Sequence, residues 1–133
     1  MKHPNRATVL CCNLNGTKAA KIKMSAVKLG LRIHTVSPDE FTLPLGRLVG
    51  LPAYADAEPL EGEPFTQEML IFHNFTEPQL DAFLAEIRRA GGVRLKAVVT
   101  PTNASWCISA LYHELEAEHA AIQQQRQAHD ENK

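Results

Sequence analysis

The chain has 133 residues, 44% of them apolar, and a formal net charge of −1. That size and apolar content suit one domain with an ordinary core, and the near-zero charge excludes an overall field that would gather nucleic acid or anionic lipid. No apolar run approaches the roughly 18 residues that span a bilayer, and Met-Lys-His-Pro-Asn-Arg at the start leads to no small-residue cleavage site, so neither a membrane span nor a signal peptide is expected.

Ala7–Leu14 is almost continuously apolar and predicts a strand buried on both faces. Asn13-Leu14-Asn15-Gly16-Thr17 then makes a turn, with Gly16 free to adopt unusual backbone angles and Thr17 able to cap a helix. Residues 18–30 read as an amphipathic helix ended by Gly30. Lys18, Lys21 and Lys28 fall on its polar side, while Lys23 projects from the apolar arc. It either snorkels to water or reaches the sheet's carboxyl edge.

Arg32–Val36 alternates as a half-exposed strand, and Ser37-Pro38-Asp39-Glu40 is a helix start. Phe41–Leu51 predicts short helical pieces broken at Pro44 and Gly46. An irregular Pro/Gly/Glu-rich excursion covers about 38–66, long enough to be functional or mobile. Glu68–Asn74 is the second strongly apolar strand. Thr76-Glu77-Pro78-Gln79 has the pattern of a capping box, and Leu80, Phe83, Leu84 and Ile87 recur at helical spacing. Gly91-Gly92 stops that helix. Arg94–Thr100 is the fourth strand, and a last helix starts near Ser105 with Ile108, Leu111, Tyr112 and Leu115 as its apolar stripe. Residues 1–122 are thus read as one α/β domain and 123–133 as a fraying polar tail. No internal repeat of solenoid type is evident.

The expected fold is α/β: a small four-stranded, mainly parallel sheet in the order 2-1-3-4 with helices on both faces. The alternative is a ferredoxin-like α+β sandwich, antiparallel in the order 4-1-3-2. Two-faced apolarity in the first and third strands favours the former.

Charge is uneven. Residues 1–47 hold eight Lys/Arg and two acids, and residues 48–87 hold eight acids and no Lys or Arg. The plain reading is mutual neutralisation and solvated surface. The alternative is a local basic face on the first helix, a poor nucleic-acid site because no aromatic residue interleaves with its lysines.

Motifs of catalysis are mostly missing. There is no G-x-G-x-x-G and no Walker-type loop. His113 and His119 are too far apart on the last helix, projecting about 120° from each other, to act as an i, i+4 metal pair. Neither metal nor cofactor is expected. Three cysteines, two of them adjacent, cannot all pair, the usage of a reducing cytoplasm. Cys107, in the predicted first turn of the last helix, is the one candidate nucleophile, with His73 its only plausible base.

What the sequence does mark is polar turns after strands. In a parallel sheet these turns share one edge, where α/β proteins bind ligands. Asn13, Asn15, Gly16, Thr17, Lys23, Asn74, Thr100, Thr102, Asn103 and Trp106 are therefore the candidate ligand-binding residues. Uncharged amides and hydroxyls orient ligands but are poor acid–base catalysts. The expected function is a non-catalytic module that binds a small ligand or anion. The alternatives are self-association or partner binding through the last helix, including a homodimer, and an enzyme using Cys107/His73.

The run Val9-Leu10, Asn13-Leu14-Asn15-Gly16, Ser37-Pro38-Asp39-Glu40-Phe41, Pro44-Leu45-Gly46, Leu95-Lys96-Ala97-Val98-Val99-Thr100-Pro101-Thr102-Asn103 and Trp106 resembles a family of small bacterial proteins defined only as a domain of unknown function. The resemblance covers residues 7–119, with the Thr-Pro-Thr-Asn segment its most specific part. It implies a stand-alone, intracellular bacterial protein and no particular activity.

Overall fold

The computed structural model describes residues 6–131, with side chains as far as 124. In chain order the elements are β1 (Thr8–Cys12), α1 (Gly16–Lys28), β2 (Arg32–Val36), a four-residue α2 (Leu45–Leu48), β3 (Met69–His73), α3 (Glu77–Arg89), β4 (Leu95–Val98) and α4 (Ile108–Glu131). Single 3₁₀ turns at Pro38–Glu40 and Pro52–Tyr54 punctuate the excursion. Asn15, not Thr17, occupies the cap position of α1. The last helix starts at Ile108, later than the sequence predicts, because Pro101–Cys107 forms turns.

The sheet order is β2-β1-β3-β4, as the apolar runs of β1 and β3 predict. Strand β1 is parallel to β2, and β3 is parallel to β4. The central pair, β1 with β3, is antiparallel. The sheet is therefore mostly parallel, built of two β-α-β units placed head to tail, and the ferredoxin-like order is not formed. The excursion leaves β2 and enters β3 at the same end of the sheet. Its only helix between those strands has four residues, too short to carry the chain back across.

This pairing fixes the layers. A right-handed crossover puts its helix on one face, and turning the second unit around brings α3 to the face of α1. Val9, Cys11, Leu70 and Phe72 pack there against Ala19, Ile22, Ala26, Phe83 and Ile87. Leu10, Cys12, Met69 and Ile71 face the other way, against Leu45, Phe65, Ile108 and Leu111. Both inner strands are buried on both faces, which is why they read as unbroken apolar runs.

The two units are related by a pseudo-twofold axis through the Leu10–Ile71 pair. Thr8 opposite Arg32 in the first unit is matched by Met69 opposite Leu95 in the second. Asn13 and Asn74 follow equivalent strands and both have positive φ, 58° and 64°. Ser37 N–H donates to Glu40 Oε1 across one turn just as Thr100 N–H donates to Asn103 Oδ1 across the other. Even the cross-bonds are reciprocal: Gly46 N–H donates to the Ala104 carbonyl at 2.8 Å and Ser109 N–H to that of Phe41 at 3.0 Å.

Candidate functional site

The antiparallel central pair divides the polar turns between two ends of the molecule. Asn13, Asn15, Gly16 and Thr17 lie where β1 ends. Asn74, Thr100, Thr102 and Asn103 lie at the opposite end, where β3 and β4 finish. One shared edge, as expected from a wholly parallel sheet, is not formed, because reversing the second unit reverses its carboxyl end.

Within each cluster several side chains are committed to the fold. Asn13 Nδ2 donates to the carbonyls of Phe65 (3.1 Å) and Gln67 (2.9 Å), tying the end of the excursion to β1. Asn15 Nδ2 donates to the Asn13 carbonyl at 3.3 Å. Asn103 is buried: its Oδ1 accepts from Thr100 N–H at 2.7 Å, its Nδ2 donates to the Val98 carbonyl at 3.0 Å, and its own N–H donates to Thr100 Oγ1 at 3.1 Å. Trp106 is half-buried against the α4-side core, and its carbonyl accepts from Leu45 N–H at 2.8 Å. Thr17, Asn74 and Thr102 are exposed. Lys23 is half-buried, and its positive charge favours the Cys11 thiolate.

All three thiols are buried. Burial pushes Cys11 up to about 11 despite Lys23. It pushes Cys12 to about 12, helped by Cys11 and Glu40. Cys107 is buried, its Sγ 3.9 Å from the Glu61 carbonyl, and no bond joins it to His73 among the described residues. Burial lowers the His73 imidazole below its ordinary value. Burial raises the Glu40 carboxyl, but hydrogen bonds from the Ser37 backbone and side chain and from His34 outweigh it, leaving Glu40 below the usual carboxylate value. Among the described residues no three His, Cys, Asp or Glu side chains group as a metal site, and no helix is long and apolar enough to cross a membrane.

A substantial concavity lies elsewhere than in the Thr-Pro-Thr-Asn turn. It is a groove of about 660 Å³ at the end where β1 finishes and β3 and β4 begin. Leu84, Ile87 and Val93 give it an apolar floor, and Lys18, Arg88, Arg94 and Lys96 line it with four cations. Glu68 pairs with Lys18 at 2.8 Å, and Arg94 pairs with Glu116 of α4. Arg88 and Lys96 have no carboxylate within ion-pair distance among the described residues, although Lys96 Nζ donates to the Val93 carbonyl. The head-to-tail arrangement makes this groove, since it sets the first turns of α1 beside the last turn of α3. Sequence reading placed Lys18 on the polar side of the first helix and gave Arg88 and Lys96 no role in binding. The usable signal was Arg88, Arg94 and Lys96 flanking Gly91-Gly92, which Lys18 joins only once α1 is beside α3.

The pseudo-twofold supplies an internal control. Arg88 and Lys96 occupy the positions that Val27 and Ile33 hold in the first unit. The architecture does not demand cations there, because its other copy does without them.

Searches of curated proteins and of solved structures each gave no match. Residues 68–122, which run from the groove's Glu68 through β3, α3 and β4 into α4 and so span the second unit, match the model of a family described as a domain of unknown function (DUF3783).

Proposed function

We propose that the protein is a non-catalytic binding module for a small organic anion, held in the groove between α1, α3 and the start of β4. The observation that carries this is the unbalanced charge over an apolar floor: Arg88 and Lys96 beside Leu84, Ile87 and Val93. A carboxylate or phosphate ester with an apolar portion matches both surfaces. The cations fix the acidic group, and burial of the remainder adds about 25 cal/mol per Å². The groove's one carboxylate, Glu68, is engaged by Lys18, and no Ser, Thr, Cys or His is among its lining residues, which supports binding rather than turnover. The buried, unpaired cysteines support a reducing setting, and with it the reading of a cytoplasmic bacterial protein.

Isothermal titration with aryl and acyl phosphates and carboxylates tests the proposal. Saturable binding to the wild type, weakened at least ~tenfold by Arg88→Glu or Lys96→Glu, is expected, a tenfold loss being ~1.4 kcal/mol. Equal binding by wild type and both variants, or none by either, contradicts it.

A further inference from the structure

We propose that the outer edge of β2 accepts an extended acidic peptide as a fifth strand, a binding site separate from the anion groove. Strand β2 ends the sheet, with β1 its only strand neighbour among the described residues. Arg32 N–H donates to the Ala7 carbonyl at 2.8 Å, which turns the backbone groups of Arg32, His34 and Val36 inward to β1. The alternate residues, Ile33 and Thr35, therefore direct their N–H and C=O groups outward. An exposed row of that kind is a template for another strand.

The two faces flanking this edge differ in chemistry, and that difference selects the occupant. On the α2 side the strand borders a groove of about 430 Å³ whose lining includes Arg32, His34 and Arg47. The one carboxylate in it, Glu40, is already engaged: His34 Nε2 lies 2.9 Å and 3.1 Å from its two oxygens, and Ser37 N–H donates to it at 2.9 Å. Arg32 and Arg47 have no carboxylate partner among the described residues, and Arg47 is held in place by donating to the Ala57 carbonyl at 2.7 Å. On the α1 side stand Ile33 and the exposed Val27, the apolar counterparts of the anion groove's Lys96 and Arg88.

Residues of an added strand alternate between the two faces. A segment with Asp or Glu at every second position and valine-like residues between them meets arginines on one side and apolar surface on the other. A second copy of β2 does not: its Arg32 would face like charge.

The test uses the whole protein and a fluorescein-labelled Glu-Val-Glu-Val-Glu-Val peptide, read by anisotropy. Three controls accompany it. The first is the Lys-Val counterpart peptide. The second is the acidic peptide N-methylated at alternate backbone nitrogens, which removes its ladder donors and leaves the protein untouched. The third is Thr35→Pro, which deletes an outward N–H and spares the β1 ladder. Saturable binding of the acidic peptide alone is expected. It should fall at least ~tenfold on N-methylation in one of the two alternating registers, in Thr35→Pro and in Arg32→Glu. Arg88→Glu, in the anion groove, should leave it unchanged. No binding to the wild type, or binding indifferent to both methylation registers and to Thr35→Pro, overturns the proposal. Loss in Arg88→Glu alone overturns it too, by assigning the peptide to the anion groove.

Discussion

Asn103 makes three hydrogen bonds inside its own turn and is 8% exposed, so its amide has little left to offer a ligand. Asn103→Ala strands the Thr100 N–H and the Val98 carbonyl. It should cost about 1–3 kcal/mol in urea denaturation and leave anion binding intact in the folded fraction. A neutral substitution would show that the turn holds itself without the amide. His73 gives a pH prediction at the same scale. Burial lowers its folded value below the ordinary 6.5, so the unfolded chain takes up the proton first. The stability this contributes is whole above the unfolded value and is lost as pH falls through the lower folded one. His73→Gln should therefore lose less stability than wild type when both are taken from pH 7 to pH 5. An equal loss would mean that the imidazole is solvated. The sequence shows Asn103 and Thr100 as polar residues in a turn, but it does not show whether their donors point at a ligand or at each other. That depends on the turn's backbone, which Pro101 stiffens and the reciprocal bonds close.

The excursion is the element whose role is clearest from its attachments. Leu60 N–H donates to the Thr42 carbonyl at 2.7 Å. Phe65 stacks between Phe41 and Tyr112, with ring centroids 4.5 Å and 4.1 Å away. Gly62 crosses directly over Cys107 and Ser109: a Cβ there would lie 2.7 Å from Ser109 Cβ and 3.2 Å from the Cys107 sulfur. Ser109 Oγ beneath it is buried without a hydrogen-bond partner among the described residues. The segment is thus a strap that seals this thiol by contact. Gly62→Val should lift it, and iodoacetamide should then label Cys107 at neutral pH in the folded variant and not in the wild type. Rapid labelling of both, or of neither, would show that the strap is not the seal. The order of the strands, the α1 and α3 spans and the two-faced burial of β1 and β3 were all legible from periodicity and apolar runs. The direction of β3 relative to β1 was not. A strand buried on both faces offers the same side chains to either pairing, and an irregular excursion carries no signal of where it ends.

At the scale of the whole molecule, the uneven charge along the chain becomes a difference between faces. Lys18, Lys21, Lys23, Lys28, Arg88 and Arg89 belong to the α1–α3 layer, while Glu58, Glu61 and Glu63 of the strap and Glu114, Glu116 and Glu118 of α4 belong to the other. A near-zero total conceals this, because charge is summed along the sequence and field is set by position. The repeat is hidden for a similar reason. Asn13-Leu14 against Asn74-Phe75, and Ser37-Pro38 against Thr100-Pro101, are short echoes in the sequence. They become a twofold only through matching register, Thr8 with Arg32 and Met69 with Leu95. The same arrangement that splits the polar turns between two ends brings Lys18 to the last turn of α3, so the site follows from the head-to-tail assembly of the units.

The most direct measurement of that claim is an amide chemical-shift map of the ¹⁵N-labelled protein titrated with phenyl phosphate. The shifts should concentrate at Lys18, Arg88, Gly91, Gly92 and Lys96 and be absent in Arg88→Glu. Shifts concentrated at Thr100–Asn103 instead, or none anywhere, would contradict the assignment of the groove as the binding site.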